Sequence, residues 1–125
     1  MMDAQGFHDS FCNTLTEEEA AREYYKTATN DSRNVLRDCL GEDGKVDLDI
    51  QHVPLLFVAG SEDQIIPSSL CEKNAKGYTD ELSYIDFKEF PNRSHYICNE
   101  LGYEQVIDFV YDWIEQKESM PPYKV

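Results

Sequence analysis

From Leu55 to Ala59 the chain is apolar at every position, Leu-Leu-Phe-Val-Ala, and the run stops at Gly60. A strand with one wet face would alternate apolar and polar residues. A short unbroken run fits a strand covered on both faces, as in a parallel sheet between helices. Pro54 suits the entrance of such a strand, where it removes no needed donor. Past Pro67, Ser68 or Ser69 can cap a helix carrying Leu70, Cys71 and Ala75 and ending at Gly77, with Ser69 and Glu72 at capping-box spacing. Leu82 to Phe90 is the next expected strand. Strand, helix, strand over this length predicts a right-handed, parallel βαβ unit. The clearest helical period spans about Glu100 to Lys117, where Tyr103, Val106, Ile107, Val110, Trp113 and Ile114 share a face. That helix is expected to pack on one face of the sheet.

Upstream the pattern is helical. Thr16 and Glu19 have capping-box spacing, and Glu17, Glu18 and Glu19 make an acidic first turn that suits the helix dipole. Ala20, Ala21, Tyr24, Tyr25 and Ala28 continue the period, and the helix is expected to stop near Asn30. Asp31 or Ser32 can cap a second, shorter helix with an apolar face of Val35, Leu36, Cys39 and Leu40, stopped by Gly41. Residues 1–15 carry neither a period nor a start signal and read as the middle of something.

Two strands pose a physical problem. The first has the composition of an interior strand, yet the chain offers it one neighbour. Its other edge would be exposed and apolar, which natural sheets avoid, and a two-stranded sheet is not independently stable. The sequence therefore reads as the last third of a larger α/β domain, expected on its own to be poorly folded or self-associating.

The 125 residues allow at most one domain. A formal charge of −14 disfavours nucleic acid, and the clustered Lys and Arg of a phosphate-binding surface are not visible, so no nucleic-acid partner is expected. No apolar run approaches the roughly 20 residues of a membrane span, and no signal peptide is evident, so no membrane partner and a cytoplasmic location are expected. Cys12, Cys39, Cys71 and Cys98 lack zinc-ribbon or CxxC spacing and read as buried or half-buried free thiols in a reducing compartment. Gly41 to Gly44 lacks the alternating acidic positions of a calcium loop. No metal or cofactor is expected.

The candidate chemistry lies after the two strand ends. Asp63 follows the first, in Gly60-Ser-Glu-Asp63-Gln-Ile-Ile-Pro67, and His95 follows the second, in Phe90-Pro-Asn-Arg-Ser-His95. A carboxylate and an imidazole at adjacent strand ends form an acid–base pair in which the acid orients the ring. These stretches resemble the acid loop and the histidine loop of the α/β-hydrolases, and Tyr103 to Ile114 is similar to the final helix of that fold. The segment from about Phe7 to Leu40 is similar to the end of the helical cap such enzymes carry. The resemblance implies a partial α/β-hydrolase fold. Its parts would be a helical cap segment over residues 1–45, the C-terminal part of the core over 46–118 with the last two parallel strands and flanking helices, and a tail over 119–125.

What the resemblance implies for function is an esterase-like serine hydrolase acting on an ester or similar small carbonyl substrate. His95 would be the general base and Asp63 the residue that holds its tautomer and stabilises the imidazolium. The nucleophile elbow, G-x-S-x-G between strand and helix, has no counterpart here. Ser61 belongs to the acid loop, and His8-Asp9-Ser10 places triad residue types side by side where they cannot converge. Cys98 is expected to start the final helix and pack inward, and His8 and His52 read as structural. The chain by itself is thus expected to be inactive. The competing expectation is a non-catalytic binding module of the same fold that self-associates through its exposed strand edge.

Overall fold

A computed structural model of the chain describes residues 2–30 and 33–124. A single helical turn, Ala4–Gly6 (α1), runs on into a π-helical turn, Phe7–Phe11. There follow α2 (Glu17–Thr27), α3 (Arg33–Asp38), a 3-10 turn (Glu42–Gly44), β1 (Leu55–Gly60), α4 (Ser68–Gly77), β2 (Ile85–Phe90) and α5 (Glu104–Glu118). Helices and one two-stranded parallel sheet make this an α/β chain. No helix among the described residues is long and apolar enough to cross a membrane.

The strands pair in register from Leu55↔Ile85 to Gly60↔Phe90. Side chains alternate across a sheet, so Leu55, Phe57, Ala59, Ile85, Phe87 and Glu89 share one face. On that face Tyr78, just past α4, meets Phe57 at 5.8 Å between ring centroids, and Ser68 bonds Glu89. On the other face α5 contributes Trp113, whose Nε1 donates to Asp86 Oδ2 at 2.7 Å, and Phe109, set edge-on to Phe90 at 5.6 Å. The expected βαβ arrangement with helices on both faces is therefore present.

Several boundaries differ, each for a local reason. The second strand starts at Ile85, not Leu82, because Asp80 accepts the Ser83 amide at 2.9 Å and the Leu82 amide at 3.4 Å, holding a turn there. The last helix starts at Glu104, because Gly102 (φ 83°) breaks the chain direction just before it. Helix α4 begins at Ser68 with Pro67 as its N-cap and no side-chain cap, so neither Ser68 nor Ser69 caps it. Helix α2 has the full Thr16–Glu19 capping box but ends at Thr27, with Ala28 already extended. The expected caps of α3, Asp31 and Ser32, lie outside the described residues. The apolar face expected of α3 is not buried: Val35 and Cys39 are exposed, and Leu40 is 90% exposed.

The main apolar core is not between sheet and helices. Phe7, Cys12, Ala20 and Tyr96 form it, with Phe11, Leu15 and Tyr24 packed around them. Under the sheet, burial is thin, and Ile107, Tyr111 and Ile114 of α5 remain exposed. The chain exposes 9046 Å² in all. A compact monomer of 14.5 kDa exposes about 6,900 Å². The excess is about a third.

Candidate functional site

Both strands end at one corner, and the chain is knitted there by backbone bonds. The Ser61 amide donates to Phe90 O at 3.0 Å and the Glu62 amide to Arg93 O at 2.9 Å. Gly60 makes this approach feasible: a Cβ there would lie 2.2 Å from Arg93 O. Asn92 turns the second loop back with φ 56°, a conformation asparagine tolerates better than most residues. Its amide donates to Ser61 Oγ at 2.9 Å, while that hydroxyl donates to Glu62 Oε1 at 3.0 Å. Ser61 thus ties the two loops together through its hydroxyl.

The corner brings Asp63 and His95 together. His95 Nδ1 lies 2.8 Å from Asp63 Oδ2. An ionised carboxylate only accepts, so this contact places the imidazole proton on Nδ1 and leaves Nε2 as the basic nitrogen. Asp63 Oδ1 accepts the amides of Ile65 and Ile66, each at 2.8 Å. One oxygen therefore fixes the carboxylate to its own turn while the other holds the ring. The acid side chain is 8% exposed and the histidine 27%, which leaves the ring reachable and its partner shielded. No hydrogen bond to His95 Nε2 is formed among the described residues. A triad histidine presents that nitrogen to its nucleophile.

A third layer of contacts sets the ring. Phe11 meets the imidazole edge-on at 4.7 Å and 65°, and its carbonyl accepts the Tyr96 amide at 3.0 Å. Tyr96 in turn donates from its hydroxyl to Glu23 Oε2 of α2 at 3.0 Å. Asn13 Nδ2 reaches Glu62 O at 2.9 Å. The N-terminal segment therefore docks on both site loops. Sequence reading singled out neither Phe11 nor Tyr96. Asp3, whose carboxylate accepts the Gly6 amide at 2.8 Å, was the one available start signal for the helical turn that carries Phe11.

Beside the pair opens a small cavity of about 130 Å³, walled by Val58, Gly60, Ile66, Cys71 and Ile97. The Cys71 thiol donates to Val58 O at 3.6 Å. Burial raises its pKa and the Asp63 carboxylate adds to that, so it stays a thiol and is a poor nucleophile. Cys12 is fully buried and pushed up to about 11, by burial first and then by Glu100 and Glu23. Cys39 and Cys98 are exposed, which corrects the expectation of buried or half-buried thiols for both. Cys98 lies in the turn before α5, packing neither inward nor at a helix start.

The other histidines are placed apart from the pair. His8 Nε2 lies 3.0 Å from Leu15 O, and the neighbouring Asp9 accepts from Gln5 at 2.8 Å. His8-Asp9-Ser10 therefore holds a helical turn and makes no triad. His52 lies at the opposite ends of the strands, with its ring edge-on to Tyr78 at 5.1 Å and its amide on Ser83 Oγ at 2.9 Å. The chain matches no family model, no curated protein and no solved structure.

Proposed function

We propose that this chain is the acid-and-histidine part of an α/β-hydrolase-type serine hydrolase acting on an ester or similar small carbonyl substrate. The observation that carries the reading is the Asp63–His95 pair at 2.8 Å, at the C-terminal ends of two parallel strands. Open α/β sheets place their sites at those ends. In this reading His95 Nε2 takes the proton of a serine hydroxyl as that oxygen attacks the carbonyl, then returns it to the departing alcohol. Asp63 keeps the proton on Nδ1 and stabilises the imidazolium. The serine and the oxyanion donors come from strands beyond β1, whose outer edge has no partner among the described residues.

Alone, the chain should show no ester turnover that depends on His95. p-Nitrophenyl acetate hydrolysis by the purified chain, abolished by His95→Ala, would contradict that. The hydrolase reading itself is tested on the coding DNA upstream of Met1, by looking for a strand followed by G-x-S-x-G. A joined polypeptide carrying that elbow should be labelled at its serine by a fluorophosphonate, at least about a hundredfold slower in His95→Ala. Equal labelling of both would sink the assignment of His95.

A second reading has one observation in its favour. Strand β2 carries Asp86, Lys88 and Glu89, which protect a true edge, while β1 has no charged side chain at all. A non-catalytic module could cover that edge with the same edge of a second copy. Size-exclusion chromatography over a hundredfold range of concentration separates the two. A stable dimer without ester chemistry supports the second reading, and a monomer at all concentrations removes it.

A further inference from the structure

Glu100 is 4% exposed, and no Lys or Arg pairs with it among the described residues. A buried carboxylate without a cation is costly unless several hydrogen bonds hold it. It has three. The Ser94 amide donates to Oε1 at 3.0 Å, Ser94 Oγ donates to Oε2 at 3.3 Å, and the Thr14 hydroxyl donates to the same oxygen. Ser94 is itself fully buried and immediately precedes His95. Its hydroxyl also accepts the Tyr96 amide at 3.1 Å, so the residues on both sides of the histidine hang from this one group. Thr14 lies three residues after Phe11, the ring that edges the imidazole. The carboxylate therefore joins the peptide that carries His95 to the segment that carries its aromatic neighbour.

We propose that Glu100 is a positioning residue for His95, acting through Ser94 and Thr14 to hold the imidazole where Nδ1 meets Asp63. Without it, Ser94 loses an amide partner and a hydroxyl partner, and the loop gains freedom to turn the ring away. The proposal rests on the Asp63–His95 geometry and needs no reaction to be tested.

The test is side-chain ¹⁵N NMR of the intact chain, in which the three imidazoles report separately on three regions. In the parent protein His95 should show a single Nδ1–H tautomer whose proton exchanges slowly with water. In Glu100→Ala that exchange should quicken at least about tenfold and both tautomers should appear, while the His52 signals stay unchanged. Glu100→Gln should fall between parent and Glu100→Ala, because its amide oxygen still accepts from Ser94 N–H while its amide nitrogen cannot accept the two hydroxyl protons. A Gln variant as disturbed as Glu100→Ala would overturn the role of the Ser94 amide bond. Equal change at His52 and His95 would mark Glu100 as a general stabiliser and overturn the proposal, as would an unchanged His95. If Glu100→Ala does not fold, Thr14→Val decides: a threefold or greater rise in His95 proton exchange supports the proposal, and none overturns it. Failure here leaves the ester assay untouched, and failure of the ester assay leaves the spectra interpretable.

Discussion

At the C-terminal ends of β1 and β2 the chain holds Ser94 and Cys12 at zero exposure, satisfies a buried carboxylate with three donors and packs four aromatic rings together. A few residues upstream the same strands have half-buried Leu55, Phe57, Ile85 and Phe87, and α5 leaves Ile107, Tyr111 and Ile114 open to water. One region is closed by contacts distant in sequence, from Thr14 to Glu100 and from Glu23 to Tyr96. The other is closed by one βαβ unit and one helix. The difference separates holding a pair of side chains from building a domain. Hydrogen bonds and a small aromatic cluster suffice for the first. The second needs apolar area that a two-stranded sheet does not supply.

The comparison breaks if mutations in the two regions cost the same. Phe7→Ala removes the ring that meets Phe11, Tyr24 and Tyr96, at centroid distances of 4.9, 5.7 and 6.0 Å. It should cost about 3–5 kcal/mol in urea unfolding, the usual range for a buried Phe truncation. Gly60→Ala puts a Cβ against the Arg93 and Ser94 carbonyls and should cost about 2–3 kcal/mol by the same assay. It should also part the two site loops, seen as lost slow exchange at the His95 ring proton. An unchanged ring would mean that the corner yields more easily than its contacts suggest.

On the sheet side the expected effects are smaller. Trp113→Phe removes the indole donor to Asp86 and should cost about 1 kcal/mol near neutral pH. Burial favours the neutral acid at Asp86, but the bonds from Lys117 and Trp113 outweigh it and hold the carboxyl below its ordinary 3.8. A depressed acid contributes stability above its unfolded value and loses it as pH falls below. The gap between parent and variant should therefore narrow in acid, and a gap that widens below pH 3.8 would reverse the assignment. Smallest of all is Ile107→Ser on the exposed side of α5, expected within about 0.5 kcal/mol. If it matches Phe7→Ala instead, that face is covered in solution and the contrast between the regions disappears.

Which features were legible in the sequence follows from the range of the interactions behind them. The Thr16–Glu19 box, the unbroken apolar strand and the amphipathic final helix are local or periodic, and each is present. Asp63 and His95 were readable because strand ends deliver them, and Gly60 marks where the backbones nearly touch. What stayed hidden depends on distant partners. Glu100 looked like the first residue of a helix, and only Ser94 and Thr14 make it a buried anchor. Residues 1–15 looked shapeless because Phe7 and Phe11 are ordered by Tyr24, Tyr96 and His95, far along the chain. Val35 and Leu40 had a helical period but no surface to meet.

The π-helical turn at Phe7–Phe11 makes the site depend on a count of residues. Such a turn holds one residue more than regular helical spacing needs. Deleting one residue there would let the turn close with α-helical spacing and leave the following residues in phase, whereas inserting one more would swing them by about 100° around the axis. Phe11 would then face away from the imidazole while Thr16, its cap and all of α2 kept their own chemistry. An insertion, a harmless change in most surface loops, would in this one turn rewrite what His95 faces.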